Sequence, residues 1–370
     1  MIGVEDIVKA IAVRPKEKDS AKLIDIDLPD LGDEDVLVKV RSVGLDGTDK
    51  DIFDGDYGSS PPGEEMIIPG HESLGRVERV GKDVKSLRPG DMVVATVRRP
   101  DDCINCLAGE YDMCLKGGYT ERGLKGQHGF LSERYVEDEA FLIKVPPELG
   151  DLAVLLEPMS VAEKAVRMAF AVQRRLTWHP EVSMVTGTGS LGLLTAMLLR
   201  LRGLGVISVD RSDDEYKAGI FSDLGILHFN TEKTNLHDIP KAVGKEIDLI
   251  VEETGSSIVA LHSIMVVGTN GVVVLASITG GDKRMEICSD CFNQGLVLGN
   301  KAVVGTVNAH RRDFERGIVD LLAIEERWPG VLSRLITARY PLEDFKEALS
   351  SMQDNIKVVI DLDGGQSGGG

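Results

Sequence analysis

At 370 residues the chain exceeds one ordinary domain, and about 150 residues per domain gives two or three. With 42% hydrophobic and 28% charged residues its composition is globular, which excludes a disordered, collagen-like or disulfide-stapled protein. Sixty acidic against 42 basic side chains leave a net charge of −18, so nucleic-acid phosphates and anionic headgroups would repel it. No run approaches the roughly 20 apolar residues of a membrane span, and MIGVEDIVKA lacks the basic-then-apolar layout of a signal peptide. The expectation is a cytoplasmic protein that binds neither nucleic acid nor membrane.

In chain order, IVKAIAVR, VLVKVRSV and DMVVATVRR are β-branched runs divided by Gly, Pro and Asp, so the opening 150 or so residues read as β-rich. From Leu152 the apolar positions of DLAVLLEPMSVAEKAVRMAFAV recur at three and four residues, which predicts helix, and a domain boundary falls near there. Strand-like SMVTG, helical SLGLLTAMLLRLRG, strand-like VISVD, a polar helix from Asp213, and strands DLIVEET and GVVVLAS follow. This alternation predicts a parallel sheet with helices on both faces, hence an α/β protein. AVVGTVN reads as its last strand, and a helix over 311–323 begins a return to the first domain. The expected domains are 1–160, 161–310 and 311–363, with GGQSGGG at 364–370 a flexible tail.

GTGSLG places Gly187, Gly189 and Gly192 between a β-branched strand and a helix with an apolar face at Leu191, Leu194, Leu198 and Leu201. Gly187 suits a tight turn, Gly189 a close approach of backbone to pyrophosphate, and Gly192 the packing of helix on strand. Asp210 ends the next strand 23 positions after Gly187, where a carboxylate accepts hydrogen bonds from ribose hydroxyls. Its charge favours NAD, while Arg211 beside it leaves NADP use open. Thr188, Ser190 and Leu191 in the turn and Ser277 at the end of GVVVLAS complete the expected cofactor contacts within this chain segment.

The stretch PGHESLGRVERVGKDVKSLRPGDMVV, together with that fingerprint, resembles the zinc-dependent medium-chain dehydrogenase/reductase family, and within it the archaeal-type glucose dehydrogenases. VGLDGTDK, TVRRP, YTERGLKGQHGF, LLEPMSVAEKA, VGTVNAHRRDF and NIKVVI carry the resemblance over nearly the whole chain. It implies a GroES-like β-rich catalytic domain beside a Rossmann domain with a doubly wound parallel sheet. It further implies that His71 binds a catalytic zinc, that Glu72 is a ligand or close neighbour, and that Glu157 is a third ligand. Asp46 stands where the family usually has a Cys ligand, and Thr48 where it has a member of the proton path. Carboxylate oxygen binds zinc less firmly than sulfur, so the metal should be more easily stripped. Zinc with Asp46 and Glu157 ionised and His71 neutral is electrically balanced, as it would be with two thiolates; Asp46 as a plain turn residue beside Gly47 stays open. By the same resemblance Glu121 and Asn308 contact sugar hydroxyls or the nicotinamide side, and Lys357 lies near the cofactor.

Cys103, Cys106 and Cys114 resemble the family's structural zinc lobe, with Pro100 at the place of the first thiolate. Asp101 or Asp102 supplying an oxygen and a metal-free lobe both remain open. Cys288 and Cys291 form a second C-x2-C pair without a companion and read as ordinary thiols. Glu72, Glu121, Glu157, Asn308 and His310 suit a polyol's hydroxyls better than an apolar alcohol pocket would, and the resemblance implies oxidation of an aldose, D-glucose first, at C1 to the lactone. A zinc-dependent polyol or alcohol dehydrogenase is the alternative, and a non-catalytic cofactor-binding protein the alternative of another class. A homodimer or homotetramer follows from the resemblance.

Overall fold

A computed structural model describes residues 7–363; the expected tail at 364–370 lies outside them. The chain divides into two compact units. The first comprises the described residues to Glu157, 308–318, and those from Leu332 onward. The second comprises 158–307 and 319–331, so of the stretch expected to rejoin the first domain only residues 319–331 group with the second.

The first unit opens with the hairpin β1 (Ile7–Ala12) and β2 (Lys22–Asp27). Next come β3 (Asp35–Leu45), helix α1 (Gly47–Asp54), β4 (Glu72–Val80), β5 (Met92–Ala95) and β6 (Arg98–Arg99). They are followed by α2 (Ile104–Leu107), β7 (Thr120–Arg122), β8 (Gly126–Gln127), β9 (Arg134–Asp138) and β10 (Leu142–Val145). β3 reads DVLVKVRSVGL and is buried on nearly every residue, which explains why it lacks a clean polar alternation. Around it β4, β9 and the C-terminal strand pair antiparallel, and Val38, Val40, Val43, Ile67, Phe130 and Val358 fill the core. Burial of these branched side chains, worth about 1.5–3 kcal/mol each, holds the sheet together.

The second unit takes α3 (Leu156–Val172) from Pro158 onward, then alternates β11 (Val182–Thr186), α4 (Ser190–Leu201), β12 (Gly205–Asp210), α5 (Glu215–Leu224) and β13 (Leu227–Asn230). It continues with α6 (Ile239–Val243), β14 (Leu249–Glu252), α7 (Ser257–Val266), β15 (Val272–Leu275), α8 (Ser289–Leu298) and β16 (Ala302–Gly305). All six strands are parallel in the order β13-β12-β11-β14-β15-β16, the doubly wound order that reverses direction between β11 and β14. Helix α9 (Arg311–Arg327), β17 (Ile336–Pro341), α10 (Phe345–Ser351) and β18 (Lys357–Asp361) close the chain, with β18 beside β3. Among the described residues no helix is long and apolar enough to cross a membrane.

Candidate active site

The metal cluster is built by register. β3 pairs β4 with Gly44 opposite Glu72, and β18 pairs β3 with Val358 opposite Leu45. That alignment sets Lys357, the first residue of β18, beside Glu72, and its ammonium donates to both Glu72 oxygens at 2.7 Å and to the Leu45 carbonyl at 3.2 Å. Gly44 is what admits the carboxylate, since a Cβ there would come within 2.0 Å of a Glu72 oxygen. Lys357 is the counter-ion of Glu72; a carboxylate 2% exposed needs a buried cation, and this one is 1% exposed.

Past Leu45 the chain turns into α1, where Asp46 is the N-cap and its Oδ1 accepts from the Thr48 and Asp49 backbone N–H groups. Asp46 is thus a helix cap, as the turn reading has it, and its second oxygen is turned towards the histidine: Oδ1 caps the helix, while Oδ2 lies 3.6 Å from His71 Nε2. The Thr48 hydroxyl donates to that same Oδ2 at 3.2 Å. Asp49, which the sequence reading missed, completes a capping box and is fully buried. Its Oδ1 accepts from Gly70 N and stands 3.6 Å from His71 Nδ1. The signal was the Asp-x-x-Asp spacing of a capping box.

One ligand atom from each of Asp46, His71 and Glu72 falls within 4.8 Å of the others. The 3.6 Å between His71 Nε2 and Asp46 Oδ2 is too long for a hydrogen bond and matches two ligands each about 2.0–2.1 Å from one tetrahedral ion. His71 Nδ1 is buried without a hydrogen-bond partner, and Asp49 faces it, as a carboxylate commonly faces a metal-ligating imidazole. The donor set therefore fits zinc. Glu157, in the first turn of α3, is buried, and burial with the neighbouring Glu72 and Asp46 charges pushes its carboxyl up to about 8. Burial pulls the His71 imidazole down, but Asp46 and Asp49 outweigh it and hold the ring's pKa well above the ordinary value. Desolvation likewise opposes the Asp46 carboxylate, which His71 and Lys357 nonetheless hold below the usual range. So many buried acids facing one imidazole and one ammonium attract a divalent cation.

Glu121 and Asn308 meet: Asn308 Nδ2 donates to Glu121 Oε1 at 3.1 Å, and Arg98 donates to that oxygen through Nε and Nη2 at 3.0 and 2.9 Å. Arg98 lies over the Tyr119 ring at 3.7 Å. His310 is not gathered there. It stacks on Tyr111 near Glu110 and Asp112, and its Nδ1 accepts the Arg312 N–H at the start of α9.

In the cysteine lobe it is Asp101, and not Asp102, that meets the thiols. One donor atom each from Asp101, Cys103, Cys106 and Cys114 lies within 4.8 Å of the rest, and Asp101 Oδ2 is 3.0 Å from Cys114 Sγ. Asp102 is exposed and paired with Lys116 at 2.7 Å. Backbone N–H groups of Cys106 and Leu115 point at Cys103 Sγ, each at 3.4 Å, and the Asp101 oxygen with the Cys103, Cys106 and Cys114 sulfurs makes a four-donor cradle that fits a structural zinc. Burial pushes the Cys106 thiol up to about 12. Cys288 and Cys291, read as ordinary thiols, are joined in a disulfide at the start of α8. Their positions three apart across a helix N-cap bring the sulfurs together, which the absence of a second pair could not reveal.

In the second unit the fingerprint turn lies after β11, at the point where the strand order reverses. Gly187 has φ +99°, and a Cβ there would sit 2.8 Å from the Glu253 carbonyl; one on Gly192 would sit 2.1 Å from the Gly187 carbonyl. Gly189 has open space around its Cβ position, leaving the backbone bare at the N-terminus of α4. Asp210 accepts from the Thr188 hydroxyl and, through Oδ1 at 2.7 Å, from Arg211 N. Lys217 Nζ donates to Thr188 Oγ1 at 3.1 Å, a contact no motif announces. Ser190 and Leu191 open α4, and the Ser277 hydroxyl donates to Glu252 at 2.7 Å beyond the end of β15.

A GroES-like β-unit with a histidine–carboxylate metal cluster, in one chain with a Rossmann unit and its fingerprint, defines a zinc-dependent medium-chain dehydrogenase. Residues 32–147 match the alcohol dehydrogenase GroES-like domain and 150–362 the glucose dehydrogenase C-terminus. The chain belongs to the glucose dehydrogenase family. It is 44% identical over 358 residues to a glucose 1-dehydrogenase of Methanocella arvoryzae, covering 96% of this chain and 99% of that one. It is 38% identical to the glucose 1-dehydrogenase of Thermoproteus tenax, covering 96% and 99%. Its fold matches Haloferax mediterranei glucose dehydrogenase in complex with NADP, Zn and gluconolactone, with TM-score 0.88, 33% identity, and coverage of 95% of this chain and 99% of that one.

Proposed function

We propose that this protein oxidises an aldose, D-glucose first, at C1 to the lactone and passes the hydride to NAD(P), with NAD favoured. The observation that carries the reading is the Asp46–His71–Glu72 cluster, half-buried at Asp46 and buried at the other two, with His71 Nε2 and Asp46 Oδ2 at the separation of two ligands of one ion. The glucose 1-dehydrogenase relatives at 44% and 38% identity support the substrate. Zinc held by Asp46, His71 and Glu157, with Glu72 as ligand or close neighbour, supplies Lewis acidity that lowers the pKa of the C1 hydroxyl.

The protein's own residues divide the remaining work. Asp49 sets the orientation of the His71 ring, and Lys357 holds Glu72 in place through both carboxylate oxygens. Thr48, half-buried and bonded to Asp46, relays the hydroxyl proton, giving up its own as it accepts the substrate's. Arg98 and Asn308 fix Glu121 in one rotamer for recognition of sugar hydroxyls. The turn at Gly187–Gly192 seats the pyrophosphate, and Asp210 takes the adenosine ribose. Removal of the hydroxyl proton and the C1 hydride leaves the lactone. Assembly as a homodimer or homotetramer is part of the same reading, supported by β16, which pairs only β15 and exposes Val303 at the sheet edge.

The test is an initial-rate panel of aldoses, polyols and simple alcohols with each cofactor, before and after chelation, with a His71→Ala variant alongside. Glucose is expected to give the highest kcat/KM. Chelation and the substitution should each lower kcat by about a hundredfold or more, while cofactor affinity measured by nucleotide fluorescence stays unchanged. Full turnover by His71→Ala, or a polyol outrunning every aldose, sinks the reading.

A further inference from the structure

The C-x2-C pair at the head of α8 plays no part in the proposed reaction, and its placement has chemistry of its own. Cys288 is the N-cap of this ten-residue helix, and its Sγ accepts the Cys291 backbone N–H at 3.3 Å. The two sulfurs are bonded to each other, and both residues are exposed. The other three cysteines are free thiols in the Asp101 lobe, so this pair is the one oxidised couple among the described residues. The segment leading into it, 276–288, has no regular structure and starts at the end of β15 with Ser277 bonded to Glu252. No packed layer shields the sulfurs from a small molecule in the described chain.

We propose that Cys288–Cys291 is a reversible thiol–disulfide exchange site that takes low-molecular-weight thiols of the glutathione class. A thiolate attacks Cys291 Sγ, the S–S bond breaks, and its electron pair leaves on Cys288 Sγ. Cys288 is the better leaving group because the Cys291 N–H and the helix N-terminus stabilise its thiolate. A second thiolate then attacks the sulfur of the external partner in the mixed disulfide. This releases the small disulfide and the Cys291 thiolate, which takes a proton from water. Two external thiols are oxidised and one protein disulfide is reduced, so atoms and electrons balance. The reverse pair of steps re-forms the ring.

The full-length, zinc-loaded protein is equilibrated in glutathione buffers from oxidised-rich to reduced-rich, quenched in acid, alkylated and digested with trypsin. The peptide spanning 285–301 holds both cysteines and neither the lobe nor the metal cluster. It should pass from unlabelled to doubly labelled over roughly a hundredfold change in the exchange ratio. Cys288→Ser and Cys291→Ser should each leave one sulfur that is either alkylated or carries glutathione, with no unlabelled, unmodified peptide in any buffer. Double labelling at every ratio, or an unlabelled peptide in excess dithiothreitol, overturns the proposal. Glucose turnover is read in parallel, so failure here is separable from failure of the proposed reaction.

Discussion

Lys357 and Glu72 lie 285 residues apart in sequence, yet form a bidentate ion pair with both side chains at most 2% exposed. Burial works against charge on both groups: it lifts the Glu72 carboxyl above its ordinary value, while the Glu72 and Asp46 charges raise the Lys357 ammonium in spite of burial. Removing one partner leaves a buried charge alone, the costly case. Lys357→Met should lower stability in urea by about 3–5 kcal/mol, and adding Glu72→Gln should recover much of that loss. Equal stability of Lys357→Met and wild type in urea titrations contradicts the pairing. Asp210 is tied to Thr188 and Arg211 N, so its charge is fixed at the end of β12. Asp210→Ser removes the repulsion of a 2′-phosphate and should raise the NADP-to-NAD ratio of kcat/KM about tenfold; an unchanged ratio in steady-state assays withdraws its role.

At the scale of elements, the loop between β4 and β5 is fastened from outside by one residue. Glu139 accepts the backbone N–H groups of Lys85, Ser86 and Leu87 at 2.5–3.2 Å and the Ser86 hydroxyl at 2.6 Å. Desolvation opposes its charge, but these donors outweigh it and bring the carboxyl down to about 2 from an ordinary 4.5. A folded-state pKa below the unfolded one means that the stabilisation is complete above about pH 4.5 and fades as pH falls towards 2. Glu139→Gln should therefore be less stable than wild type at neutral pH, with the two converging in acid. Thermal melts across that window test it, and parallel curves refute it. The elements themselves were largely legible. The β-branched runs became strands, and the helix and strand alternation after Leu152 became the parallel sheet, because period and length reflect which faces meet a core. The helix expected over 311–323 runs from Arg311 to Arg327, its apolar face extending past the expected stop.

Across the whole molecule, a net charge of −18 makes the compact state repel itself. Added salt shortens the screening length to about 8–10 Å near physiological strength, so potassium chloride should raise the melting temperature steeply at first and then level off. A melting temperature that falls or stays flat over that first interval would show that local ion pairs, rather than net charge, govern the response.

Local chemistry settled much of this protein in advance. The glycine turn, the acid at the end of the next strand, the Gly-His-Glu triplet and the element alternation each depend on neighbours within about 25 positions, where spacing alone constrains geometry. The Rossmann unit was accordingly visible, and the resemblance carried by the Gly-His-Glu stretch implied the GroES-like unit. Three-dimensional packing decided the rest. Strand register put Lys357 against Glu72, helix capping put Asp49 behind His71, the lobe chose Asp101 over Asp102, and an N-cap joined Cys288 to Cys291. Each of these turns on which atoms share a volume. A one-dimensional pattern holds no record of that when the partners belong to different strands, or when two adjacent acids differ only in the direction they face.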